Sequence, residues 1–136
     1  MPRKIRYKKQ QKGHKSNKIT SIKVLTNHFD KSFVLMSSSF GRLSEKQIET
    51  AKMTINKNLK KFGKVIVNIQ ADTPVSKKPL EIRMGKGKGA VNRWVSKIKY
   101  GVPLFTIISS FSIIAIKALK SVQIKLPLLT KIIKNV

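Results

Sequence analysis

The stretch Ser44-Glu45-Lys46-Gln47-Ile48-Glu49-Thr50-Ala51-Lys52-Met53-Thr54-Ile55-Asn56-Lys57-Asn58-Leu59-Lys60-Lys61-Phe62-Gly63-Lys64-Val65-Ile66-Val67-Asn68-Ile69 changes its hydrophobic period at Gly63. Before the glycine, Ile48, Ala51, Ile55, Leu59 and Phe62 recur at steps of three and four, which is one stripe of a helix. Ser44 with Gln47 three residues later is a capping box, and Glu45 suits the positive first turn. The spacing therefore predicts a helix from Ser44 to about Phe62, with Gly63 as its stop. After the glycine, Val65, Val67 and Ile69 alternate with other residues, so Lys64 to Gln70 is expected as a strand.

Upstream, Phe33-Val34-Leu35-Met36 is a short apolar run suited to a strand buried on both faces. Downstream, Asp72 to Pro79 contains Pro74 and Pro79 and is expected as a loop. Leu80, Ile82 and Met84 alternate with Glu81 and Arg83, which predicts an amphipathic strand carrying Arg83 on its polar face. Asn92 to Lys99 reads as a strand, Gly101 as a turn and Val102 to Ser109 as the returning strand of a hairpin. Phe111 to Val122 is helical in its spacing and more apolar than a surface helix. A last extended segment begins at Leu126-Pro127 and ends in Ile132-Ile133.

Charge narrows the partners. The 136 residues carry 30 Lys and Arg against five Asp and Glu, a formal net charge of +25. Such an excess opposes compaction by self-repulsion and calls for an acidic partner, of which nucleic acid is the leading candidate. No carboxylate occurs in residues 1–29 or 82–136. Residues 2–23 hold nine basic residues and few apolar ones, too little to offset the entropy of ordering. Within them Tyr7 stands in Arg6-Tyr7-Lys8-Lys9, an aromatic face for a base among cations for phosphate. The tail lacks the amphipathic, Arg- and Ser-rich pattern of a transit peptide.

Several chemistries fall away. The chain has no Cys, which removes disulfides, zinc knuckles and thiol catalysis. His14 and His28 have no second ligand at a useful spacing, and the carboxylates form no acid–base pair beyond Glu45 and Glu49, which helix-dipole complementarity explains. No metal, cofactor or enzymatic activity is expected. Tyr100 to Ile116 is 17 residues without a charge, but it contains Gly101, Pro103 and three serines and falls short of the roughly 20 apolar residues a spanning helix needs. It is expected to form two buried elements.

The segment Arg83-Met84-Gly85-Lys86-Gly87-Lys88-Gly89 alternates glycine with lysine behind an arginine. Glycine permits positive φ and close approach, and the cations attract a polyanion. Both lysines are followed by glycine, so a phosphate-binding Walker loop is excluded, and the strict alternation excludes a dinucleotide fingerprint.

The string from Leu80 to Val95, Leu-Glu-Ile-Arg-Met-Gly-Lys-Gly-Lys-Gly-Ala-Val-Asn-Arg-Trp-Val, closely resembles the signature of the bacterial-type large-subunit ribosomal protein L-sixteen family. The Pro2–Gly13 tail, Gly41-Arg42-Leu43-Ser44 with Gln47-Ile48-Glu49, the Pro74–Pro79 loop and Lys125-Leu126-Pro127 also resemble it. The resemblance implies an α+β fold. It would be a two-layer sandwich of mixed, mainly antiparallel sheet with two helices, residues 31–136, behind a basic rRNA-binding extension, residues 1–30. It implies a structural constituent of the large subunit that binds large-subunit rRNA, contacts neighbouring ribosomal proteins and helps shape the aminoacyl-tRNA entry site near the peptidyl-transferase centre. The implied rRNA contacts are Arg3, Lys4, Arg6, Tyr7, Lys8, Lys9, Lys12, His14, Lys15, Arg42 and Arg93, and the loop facing rRNA and tRNA is Arg83, Met84, Gly85, Lys86, Gly87, Lys88 and Gly89. Ser112, Ile113 and Lys117 stand where the family's second helix usually carries acidic residues, and residues 16–31 match less well. A DNA-compacting architectural protein and a membrane-surface protein using Tyr100–Ile116 are the alternatives from other classes. Lys, Ile, Asn, Phe and Tyr total 57 against 22 for Gly, Ala, Arg and Pro, a bias toward AT-rich codons. With no targeting extension ahead of the family's start, this points to an organelle-encoded mitochondrial protein, with an AT-rich bacterium or a plastid as alternatives.

Overall fold

Ser44 caps the central helix as its spacing requires, its hydroxyl accepting from Gln47 N while Gln47 Oε1 accepts from Ser44 N at 2.9 Å. The computed structural model describes residues 7–11, 13 and 32–135. Helix α1 spans Glu45–Leu59 and buries Ile48, Ala51, Ile55 and Leu59, the predicted stripe without its last member. It ends three residues early because Lys60, not Gly63, takes the positive-φ turn, with φ 51° and its N–H bonded to Asn56 O at 2.9 Å. Gly63 has a different task. A Cβ there would lie 2.8 Å from the carbonyl oxygen of Ile108, so glycine is needed for close approach. Gly63→Ala is expected to cost about 1–3 kcal/mol, read as a lower urea midpoint. Ser44→Ala is expected to cost about 1 kcal/mol in the same measurement, by removing the cap.

Strands β1 (Ser32–Ser37), β3 (Lys64–Val67), β6 (Pro103–Ile108) and β7 (Thr130–Asn135) form one sheet in the order β3-β6-β1-β7. Strands β2 (Gly41–Ser44), β4 (Thr73–Lys77) and β5 (Ala90–Ile98) form a second, in the order β2-β5-β4. Every pairing in both is antiparallel. The apolar run Phe33–Met36 lies in β1, between β6 and β7, as a strand covered on both faces should. Register aligns Phe33 with Ile107, Leu35 with Phe105, and these with Val65 and Val67 of β3, giving one continuous apolar face. Helix α2 (Ser112–Gln123) buries Ala115, Ala118, Leu119 and Val122 and packs against α1 and that sheet. The result is the expected α+β sandwich of two helices and two sheets.

Three local expectations are corrected. Residues 73–77 form a strand despite Pro74, because β4 is an edge strand where a missing N–H leaves no ladder bond unmade. Residues 80–84 form no strand. The last cross-strand pair is Lys77 with Ala90, and beyond it Gly85 and Gly87 adopt positive φ values that do not continue a ladder. The expected hairpin at Gly101 is absent as well, since β5 and β6 belong to different sheets. Gly101, with φ 81°, instead carries the chain from one sheet to the other, and its N–H bonds to Ser37 O at 2.7 Å. Tyr100–Ile116 does divide into two elements, β6 and the start of α2. Among the described residues no helix is long and apolar enough to cross a membrane.

Candidate nucleic-acid interface

The glycine–lysine segment is the connection between β4 and β5. Gly89 sits at its base, where a Cβ would come 2.7 Å from Lys77 O, so the two arms close only over a glycine. Gly85 and Gly87 face open space and serve through conformation alone. Gly85, Lys86 and Gly87 have successive φ values of 102°, 51° and 82°, a left-handed tip that the flanking glycines accommodate. Arg83, Met84, Lys86 and Lys88 are exposed, as are Leu80 and Ile82. Arg83 therefore leaves from an irregular backbone and not from a strand face.

Lysines brace this tip. Lys78 Nζ donates to Gly85 O across the loop. Lys9 Nζ donates to Lys88 O at 2.6 Å, and Lys88 Nζ donates to Gln10 O. The basic tail and the loop thus exchange two charged hydrogen bonds although 78 or 79 positions separate the partners. Tyr7 and Lys8, also exposed, lie on the same segment. The expected contacts Arg3, Lys4, Arg6, Lys12, His14 and Lys15 lie outside the described residues.

The outward face of the three-stranded sheet carries the next cations. Arg42 of β2 stands opposite Lys97 of β5, and Arg93 lies on that same face opposite Val75 of β4. Arg42 Nη2 donates to Gly13 O at 3.1 Å, and a Cβ on Gly13 would lie 3.3 Å from Lys97 Nζ. The tail therefore passes from this face to the loop. Arg42 and Arg93 line one concavity of about 320 Å³ with Ser44 and Gln47, and Arg93 also lines a neighbour that reaches Trp94. Lys97, Lys78 and Gln10 were not singled out in the sequence. For Lys97 a signal existed, since it stands four residues from Arg93 on one strand and so shares its face.

Among the described residues no group of three His, Asp or Glu is placed to hold a metal ion. What these residues offer is a set of largely exposed cations along the tail, the loop and one sheet face.

Residues 2–133 match the sequence profile of the ribosomal protein L16p/L10e family. The chain belongs to this family. As an L16p/L10e protein it is a structural component of the large ribosomal subunit and works within translation. The family implies rRNA and other ribosomal proteins as its partners. The exposed Gly-Lys loop, the sheet-face arginines and the tail all fall inside the matched span.

Proposed function

We propose that this L16p/L10e protein anchors to large-subunit rRNA through its basic tail, residues 1–30, and through Arg42, Arg93 and Lys97. We further propose that its Arg83–Gly89 loop reaches the aminoacyl-tRNA entry site near the peptidyl-transferase centre. The observation that carries the reading is the reciprocal contact of Lys9 with Lys88 O and of Lys88 with Gln10 O. It supports a single cationic track running from the tail onto the loop. The α+β domain, residues 31–136, then acts as the support that holds both. The AT-rich codon bias favours a mitochondrial ribosome as the setting.

Phosphate neutralisation releases counterions, so log K for rRNA should fall by about 0.7–0.9 per phosphate contacted for each decade of salt. Filter binding of the full chain to purified large-subunit rRNA between low and moderate salt measures this. A flat titration contradicts the reading. Sedimentation of the protein with large subunits from mitochondria tests the compartment separately.

A further inference from the structure

The end of α1 and the start of α2 meet at an aromatic corner that neither the loop nor the tail uses. Phe62 and Phe111 pack edge to face, with ring centroids 5.4 Å apart and planes at 83°. Their exposures are 50% and 53%, so both residues remain about half open to solvent. The backbone beneath them is fixed by one buried hydroxyl. Ser109 Oγ donates to Phe62 O at 2.7 Å and accepts from Phe111 N at 3.2 Å.

The chain around Phe62 is cationic. Lys57, Lys60, Lys61 and Lys64 are all exposed and flank Phe62 in the chain. No carboxylate occurs in residues 50–71 or 82–136, so neither the α1–β3 junction nor the β6–α2 junction supplies a counter-charge. The first turn of α2 contains no acidic residue either. Two perpendicular rings make a corner in which a planar base can lie flat on one ring with its edge against the face of the other. Four exposed lysines within five residues of Phe62 in the chain supply positive charge for the phosphates of such a nucleotide. Aromatic stacking of this kind tolerates any base.

We propose that Phe62 and Phe111 form a stacking site for an unpaired rRNA nucleotide, with Lys57, Lys60, Lys61 and Lys64 binding its flanking phosphates. The site rests on the rRNA-binding reading above and adds a second anchor, on the helix pair and four-stranded sheet. The charge favours RNA over an apolar protein partner, because the lysines near Phe62 have no carboxylate in residues 50–71 or 82–136 to offset them.

The test compares the full chain with a Phe62→Leu, Phe111→Leu pair and a Phe62→Tyr, Phe111→Tyr pair, using purified large-subunit rRNA across a salt series. Leucine keeps apolar bulk without a π-face, and thermal unfolding verifies that each variant is folded. The leucine pair should bind about tenfold more weakly with an unchanged salt slope, since no phosphate contact is removed. The tyrosine pair should bind as the parent does. Equal affinity of parent and leucine pair overturns the stacking site while leaving the rRNA reading intact, as does a tyrosine pair no stronger than the leucine pair. Normal rRNA binding by the leucine pair with loss of a neighbouring ribosomal protein from the subunit also overturns it. A parent chain without salt-dependent rRNA binding overturns both readings.

Discussion

Ribosomes carrying Lys86→Ala with Lys88→Ala are expected to bind aminoacyl-tRNA at the entry site about tenfold or more weakly, while the protein still folds and assembles. A hydrogen bond to a charged group contributes about 1.5–3 kcal/mol, and a single one of these is worth a factor of ten or more. Folding is spared because both side chains are exposed on the β4–β5 connection and neither touches the core. The two lysines are not equivalent. Lys86 projects from the left-handed tip, whereas Lys88 Nζ is engaged with Gln10 O. Lys86→Ala alone should therefore act through charge, and Lys88→Ala through loss of the brace as well. Lys9→Ala should reproduce part of the Lys88 effect, because it removes the other half of the exchange. Entry-site tRNA binding and dipeptide formation on purified ribosomes read these effects. Parental values for the double variant would remove the loop from the proposed function.

Phe105→Ala is expected to destabilise the isolated protein by about 3–5 kcal/mol. Phe105 is fully buried in β6 and stands in register between Leu35 of β1 and Val67 of β3, so its loss opens a cavity in the middle of the sheet. Domains of this size are usually stable by only about 5–15 kcal/mol. A charge of +25 narrows that margin further in the absence of RNA. The variant should be extensively unfolded at low salt and recover partly as salt screens the repulsion. Urea unfolding in moderate salt measures the loss, and a cost under about 1 kcal/mol would contradict the packing of this strand.

Much of the architecture was legible because its signals are local. The capping box at Ser44, the 3.6-residue stripe of α1 and the unbroken run in β1 each depend only on neighbouring residues. The misreadings are of another kind. Alternation at Leu80, Ile82 and Met84 looked like a strand, but a strand needs a partner, and the segment opposite is the glycine tip. Pro74 looked like a loop because a sequence does not announce which strand lies at an edge. The turn at Gly101 was found, yet whether it closes a hairpin or changes sheets is decided by packing elsewhere. At the candidate site, the loop was expected from its alternation of glycine with lysine, and Arg42 from resemblance to a family. The meeting of Lys9 with Lys88 spans most of the chain and left no trace in local spacing.

Strand β1 lies between β6 and β7, and this has a consequence for synthesis. Residues 32–37 leave the ribosome well before both their neighbours, which come from residues 103–135. At about 5–20 residues per second, this largely buried strand waits several seconds or more for its first partner. Pairings this distant in sequence also close slowly once both strands exist. The vulnerable species is therefore the nascent chain with β1 exposed and its edges unpaired. Its exposure to misassembly is set by the distance between these strands along the message, and a more stable native state would not shorten it.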